Sequence, residues 1–342
     1  MTSRALLVLA VLAVGCDSGD GDGGETDTDA MGSSGVAGSS SGPSTTAPGT
    51  FTASSTGTPD TTSSSSTSGE PGSSSTSGET GEGSSSTGEV FVGSPGCGTK
   101  ATLPDGENTF SLDDYDRRYM LRLPANYDSQ RAYPLIFALH GNGGNPGYWD
   151  EVGGDRDIRT AFADEAILVI PEAINNAWRD YNADASTWPA FMDLELSAFD
   201  AMYETVSNDL CVDPDNVFSM GFSGGGSFSG VLGCRRDYIR AIAVGGSVIY
   251  FDEEDCVETP AAWITIGDGE LSEGREAYRD FFRDQAGCEP TSTPIEPAGC
   301  VEYEGCGAES PVVFCGHPAD HVWPGIGTDA TRAFFQRFYA SR

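Results

Sequence analysis

Three histidines, no Cys-x-x-Cys pair and 18 basic residues against 52 acidic ones are the scarcities of this 342-residue chain. With His140, His317 and His321 the only imidazoles and the cysteines scattered singly, a structural zinc site lacks its usual paired ligands. The shortage of Lys and Arg leaves a formal net charge of -34. It excludes nucleic acid and other polyanionic polymers as partners, because phosphate binding draws on clustered cations. Charge of this kind speaks to partners and not to fold. Long apolar runs are missing too: the run from Ala5 to Val14 falls well short of the roughly 20 residues that a membrane-spanning helix needs. Aromatic residues are nearly absent from the first quarter, where Phe51 is the only one before Phe91.

That last absence defines a segment. From Asp17 to about Gly96 the chain is almost entirely Ser, Thr, Gly, Asp, Glu and Pro, which cannot bury enough apolar surface to offset its ordering entropy, so residues 17–95 are expected to be a disordered tether. Its imperfect echoes, "SSSTSGET" and "GSSSTGEV", carry no recurring hydrophobic face and are low complexity rather than a folding repeat. Ahead of it, residues 1–16, "MTSRALLVLAVLAVGC", place one basic residue, an apolar core, a glycine and Cys16 in the order of an export signal. The ending resembles the bacterial lipobox, whose cysteine is lipidated, although Ala13 stands where leucine is usual. An ordinary signal peptide with an incidental cysteine is the other reading. On the first, Cys16 carries a lipid and the tether gives reach from a membrane surface.

The remaining eight cysteines all lie in the C-terminal part, 96–342, and an even set in an exported chain reads as up to four disulfides. Eight cysteines allow 105 pairings, so spacing alone leaves the connectivity open.

From Cys97 onward apolar runs alternate with amphipathic stretches. "YMLRLP", "YPLIFALHG", "ILVIPEA", "VFSMG", "AIAVGGSV", "AAWITIG" and "PVVFCG" read as strands, most of them buried on both faces. "RDIRTAFADEA", "GREAYRDFFRDQA" and "TDATRAFFQRFYA" read as helices. So does "FMDLELSAFDAMYETVSNDL", with Met192, Leu196, Phe199, Tyr203 and Val206 at spacings of three and four. The alternation predicts an α/β domain, a mostly parallel sheet with helices on both faces.

Between the strand "VFSMG" and the helical "GSFSGVLGCRR" lies Gly221-Phe222-Ser223-Gly224-Gly225. Gly-x-Ser-x-Gly is common by chance in so glycine-rich a chain. Between a strand and a helix it has a mechanical reason: a sharp turn forces the serine into a strained conformation, and neighbours without side chains relieve the crowding. Such a turn is the nucleophile elbow of an α/β-hydrolase. A nucleophilic serine needs a histidine to take its proton and a carboxylate to orient the histidine, in the chain order serine, acid, histidine for this fold. After Ser223 only His317 and His321 remain, both beyond "PVVFCG". The acid belongs after "AAWITIG", where "IGDGE" offers Asp268 and Glu270. Position, three residues past the strand-end glycine, favours Glu270; the frequency of aspartate in triads favours Asp268. The oxyanion hole calls for two backbone N–H groups, one from Gly224 and one from Asn142 in "FALHGNGGN". His140, ahead of the serine in the chain, reads as a residue that fixes this loop.

These motifs resemble, in family order, those of secreted feruloyl esterases and polyhydroxybutyrate depolymerase-like esterases of the α/β-hydrolase fold. The likeness runs through "GCGTKATLPDGENTFSLDDYDRRYMLRLPANYDSQRAYPLIFALHGNGGN", "LCVDPDNVFSMGFSGGG", "YRDFFRDQAGC" and "DHVWPG". It implies His321 as the base, because the family histidine precedes a Trp-Pro pair. Members usually carry His-Gly-x-x-Asp at the acid loop; here Ile266 and Glu270 replace the histidine and the aspartate. The resemblance further implies disulfides 234–256 and 288–306, with 97–211 and 300–315 for the other four cysteines. It implies ester hydrolysis through an acyl-serine, without metal or cofactor, on feruloyl, hydroxycinnamoyl or acetyl esters of plant polysaccharide, or on a hydroxyalkanoate polyester. Trp149, Trp178 and Trp323 are candidates for an aromatic substrate wall, with core packing as the alternative. Two further readings remain: a non-catalytic surface binding protein on a hydrolase fold, and acyl transfer to a sugar with the same residues.

Overall fold

The computed structural model of the chain describes residues 93–339. The export signal, Cys16 and nearly all of the tether lie outside the described residues. Within them Ser94 is already buried, its hydroxyl donating to the Leu210 carbonyl at 2.7 Å and accepting the Val212 N–H at 2.8 Å. Among the described residues, packing against the domain thus already includes Ser94, within the segment 17–95 read from composition as tether.

The elements follow in the order β1 (Gly106–Leu112), β2 (Tyr115–Arg122), β3 (Tyr133–Leu139), α1 (Gly147–Asp150), α2 (Ile158–Ala161), β4 (Ile167–Pro171), α3 (Trp188–Asp209), β5 (Val212–Phe222) and α4 (Gly224–Arg235). They continue with β6 (Ile239–Gly245), β7 (Ala261–Gly267), α5 (Glu273–Gln285), β8 (Ser292–Ile295), β9 (Cys300–Tyr303), β10 (Val312–His317) and α6 (Gly327–Tyr339). One ten-stranded sheet has the order β1-β2-β4-β3-β5-β6-β7-β10-β9-β8. Its middle, from β4 to β10, is parallel, and antiparallel pairs close both edges.

Alternation along the central strands divides the core into two layers. Leu135, Phe137 and Leu139 of β3 face one layer with residues of α3, α4 and α5, while Ile136 and Ala138 face the other with Trp149, Ile158 and the phenylalanines of α6. Period-two side chains buried on both faces are what a parallel sheet between helices requires. At roughly 25 cal/mol per Å2 of apolar surface removed from water, these two layers supply the main drive to fold.

All four expected disulfides are present: Cys97–Cys211, Cys234–Cys256, Cys288–Cys306 and Cys300–Cys315. The first ties the start of the domain to the entry of β5 and closes a separation of 114 residues.

Two expectations differ. The helix read over "RDIRTAFADEA" is a single turn, α2, after which Glu165 is drawn to α6, where Arg332, Gln336 and Tyr339 donate to its carboxylate. That tertiary attraction replaces the helical continuation which propensity alone favours. Strands β1, β8 and β9 were not read from the sequence. All three have short or interrupted apolar alternation; β1 and β8 are the two edges of the sheet and β9 lies between β8 and β10, and Pro294 sits within β8, a position that an edge strand tolerates.

Candidate active site

Ser223 occupies the turn between β5 and α4 with φ 55 and ψ -127, a region that non-glycine residues avoid. The strain is held by its surroundings. Its N–H donates to the Gly245 carbonyl of β6 at 2.8 Å, and α4 starts in the core behind it. A Cβ on Gly225 would collide with the carbonyls of Leu139 and His140, so only glycine lets the helix end press against the end of β3.

The loop after β3 is fixed by His140, which is fully buried. Its Nδ1 lies 2.7 Å from the Gly141 carbonyl and its Nε2 accepts the Ala173 N–H at 3.2 Å, an arrangement that defines the neutral imidazole with hydrogen on Nδ1. Burial pushes its pKa below the usual histidine value. The next residues form a turn from Gly141 to Gly144, with Gly143 at φ 81. Asn142 stands on this turn: its side chain accepts the Trp178 N–H at 2.9 Å and donates to the Tyr250 hydroxyl at 3.1 Å. A Cβ on Gly224 would strike the Asn142 side chain, so the two expected oxyanion residues are neighbours. As the first residue of α4, Gly224 has an N–H with no partner inside the helix.

On the other side of Ser223, Glu270 and His321 meet. The Glu270 side chain is 4% exposed; its Oε1 accepts the Gly267 N–H at 3.0 Å and its Oε2 is bonded to His321 Nδ1. Burial alone would raise the Glu270 carboxyl, but the hydrogen bonds from His321 and Gly267 and the charge of Arg275 bring it below its ordinary value. With Nδ1 donating to a carboxylate, Nε2 is the basic nitrogen, and it is buried without a hydrogen-bond partner among the described residues. The imidazole lies on the ring of Phe222, centroids 4.6 Å apart, directly before Ser223. It passes so close to Gly246 that a Cβ there would stand 2.6 Å from Cε1. No hydrogen bond joins the Ser223 hydroxyl to His321.

Asp268 is exposed and is not brought to His321. His317, at the end of β10, is buried with neither ring nitrogen hydrogen-bonded among the described residues, and burial lowers its pKa. The three tryptophans take the packing alternative. Trp149 and Trp178 are fully buried and Trp323 is 4% exposed, and their indole N–H groups donate to Leu139, His140 and Thr328 respectively. An indole stacked in the core offers no face to a ligand. The accessible rings beside the oxyanion loop are instead Tyr181 and Trp188, next to buried Tyr250.

Arg275 of α5 was missed at the sequence level. Its Nε approaches Glu270 Oε2 at 2.9 Å and its Nη2 lies 3.4 Å from His321 Nδ1. In the sequence it is one arginine of a charged helix, with no signal setting it apart. Among the described residues no group of three or more His, Cys, Asp and Glu side chains could hold a metal ion. The chemistry this cluster suits is acyl transfer: a strained serine, a carboxylate-held imidazole with an unbonded second nitrogen, and the unpaired N–H of the first residue of α4 directly after the serine.

Comparison with known proteins places the chain among esterases. It is 33% identical over 254 residues to feruloyl esterase D of Neurospora crassa, a match covering 67% of this chain and 82% of the relative. It is 32% identical over 264 residues to feruloyl esterase C of Emericella nidulans, covering 71% of this chain and 90% of the relative. No family model matches the sequence. Among solved structures, an S-formylglutathione hydrolase from Agrobacterium tumefaciens is similar with a TM-score of 0.50 and 11% identity, over 70% of this chain and 99% of that one, a likeness of fold.

Proposed function

The chain belongs to the feruloyl esterase family of α/β-hydrolases and is a serine carboxylic-ester hydrolase; from that premise we propose that it cleaves feruloyl, hydroxycinnamoyl or acetyl esters of plant polysaccharide, with Ser223, His321 and Glu270 as its triad. The observation that carries the triad is the Glu270–His321 hydrogen bond, which leaves Nε2 as the basic nitrogen of an imidazole packed on Phe222, the residue before the strained serine. The feruloyl assignment draws its support from the relatives named above.

In this mechanism the Ser223 Oγ attacks the ester carbonyl while His321 Nε2 takes its proton. The carbonyl oxygen becomes an oxyanion, for which the N–H groups of Gly224 and Asn142 are the proposed donors. Glu270 holds the imidazolium in orientation and offsets its charge. Collapse of the tetrahedral species expels the alcohol, protonated by His321, and leaves an acyl-serine. Water then attacks the acyl carbon, giving its proton to the same nitrogen; as the second tetrahedral species collapses, His321 returns that proton to the Ser223 Oγ and the acid departs. The cycle uses only these side chains and backbone donors.

The four disulfides are those of a chain that folds in an oxidising compartment, outside the cytoplasm. The further reading is that a lipid on Cys16 holds the enzyme at a bacterial cell surface and that residues 17–95 give it reach. Cys16→Ser should release the protein from the membrane fraction or leave its leader uncleaved; an unmodified mature N-terminus beyond Cys16 rules the anchor out.

The substrate is tested by measuring kcat/KM side by side on methyl ferulate, acetylated xylan and a hydroxybutyrate oligomer. Preference for methyl ferulate or acetylated xylan upholds the proposal. Faster turnover of the oligomer assigns the enzyme to polyester depolymerisation instead, and no turnover of any ester makes the fold a binding module.

A further inference from the structure

The domain is rich in carboxylates, and nearly every described arginine has one. Of the fifteen arginines within residues 93–339, thirteen form ion pairs. Arg131 and Arg179 have no carboxylate within ion-pair distance among the described residues. Arg131 lies over the ring of Tyr133, 4.7 Å from its centroid. Arg179 stands beside the oxyanion loop.

Its setting is a three-ring seat. The guanidinium lies 3.5 Å over Trp188, 5.0 Å from the Tyr250 centroid and 5.4 Å from that of Tyr181. The Tyr250 hydroxyl accepts from Asn142 Nδ2 at 3.1 Å and from the Tyr181 hydroxyl at 2.9 Å, so two side chains link Arg179 to the loop that faces Ser223. Arg179 Nε is buried and donates to nothing among the described residues. The nearest acids in sequence are engaged in their own turns: Asp180 accepts the Asn182 N–H and Asp184 accepts from Ser186.

Stacking on aromatic faces satisfies the flat surfaces of a guanidinium and leaves its in-plane N–H groups to be filled. Those groups match a carboxylate bidentately, and an aromatic seat excludes the water that would otherwise compete. A purely structural stack has no need of a buried, unbonded Nε, which carries a desolvation cost until a partner arrives. We propose that Arg179, seated among Tyr181, Trp188 and Tyr250, is a substrate-binding residue that takes a single carboxylate of the ester. A single unpaired cation at this place suits one charge and not a polyanion. The carboxylate belongs either to an acidic sugar on the alcohol side or to a second acid group on the acyl side. The proposal rests on the reading of Ser223 as the ester site.

Two matched pairs of substrates separate the possibilities. On the alcohol side, 2-O-feruloyl galacturonate is compared with 2-O-feruloyl galactose; on the acyl side, mono-4-nitrophenyl succinate with 4-nitrophenyl butyrate. The quantity read is the ratio of kcat/KM for the acidic member to that for the neutral member. Arg179→Gln is expected to lower this ratio about 10- to 100-fold in one of the two pairs, chiefly through KM. Arg179→Lys keeps the charge without the fork and should recover part of it. The pair affected identifies the side on which the carboxylate lies. An unchanged ratio in both pairs, or an equal fall for both members, overturns the assignment and leaves Arg179 a prop for the loop. If the folded native enzyme hydrolyses none of the four esters, the ester-site reading and this proposal fall together.

Discussion

Glu270 and His321, 51 positions apart, meet where the loops after β7 and β10 leave neighbouring strands, and the carboxylate of the first accepts the Nδ1 hydrogen of the second. The parallel register sets this meeting: His317 pairs with Gly267, so both loops leave the sheet at one level. Asp268, two residues closer to the strand, faces solvent.

A triad carboxylate and a solvated one respond differently to loss of charge. Glu270→Gln is expected to lower kcat on methyl ferulate by about four orders of magnitude, the loss seen for an amide at this position in a serine protease. Asp268→Asn should keep activity within about threefold, since a solvated surface charge contributes little. Steady-state kinetics of the two folded variants decides, and the reverse outcome moves the role to Asp268.

Arg275 contacts Glu270 and His321, so its expected effect runs through their charge. Burial raises the Glu270 carboxyl, the His321 and Gly267 hydrogen bonds lower it, and Arg275 lowers it further. Removing that cation by Arg275→Gln raises the carboxyl, so the ionised form that orients His321 is lost at a higher pH as acid is added. The acid limb of the kcat/KM profile should therefore move to higher pH, and Arg275→Lys should restore it. A fall in activity with an unshifted profile would make Arg275 structural only.

Beneath the site, Arg117 of β2 and Glu195 of α3 form a buried pair at 2.6 Å, with side chains 3% and 0% exposed. Glu195 also accepts the Ile174 N–H at 2.8 Å, which anchors the loop leading to Trp178 and Arg179. Arg117→Ala leaves Glu195 buried without its partner and is expected to cost about 3 to 5 kcal/mol of stability. Urea denaturation checks this, and a change below about 1 kcal/mol would show that water reaches the pair.

His140 and His317 are buried as neutral imidazoles with lowered pKa values, chiefly through desolvation. The unfolded chain therefore binds protons that the folded one refuses. Their contribution is complete above the unfolded pKa of about 6.5 and fades as pH falls toward the folded values, at up to about 1.4 kcal/mol per pH unit for each. Unfolding midpoints measured between pH 7.5 and 5 should fall accordingly, and His140→Asn should flatten the slope while lowering stability at pH 7.5.

Much of this protein was legible in the sequence because local signals carry it. Alternation of buried runs and amphipathic stretches reflects side-chain periodicity within one element, so the parallel sheet and its helices followed from reading along the chain. The strained turn at Ser223 is likewise local, a serine between glycines at a strand-to-helix junction. Pairings between distant segments were decided by the tertiary structure. Asp268 and Glu270 are near-equivalent in sequence, and only the β7–β10 register brings one of them to His321. Trp149, Trp178 and Trp323 are aromatic in either role, and only packing against β3, α4 and α6 makes them core. Glu195 interrupts an apolar helix face for no local reason, until Arg117 arrives from a strand 78 residues away. Arg179 and Arg275 differ from the other arginines only in what stands around them, because a charge acquires its role from the field of the folded surroundings and not from its neighbours in sequence.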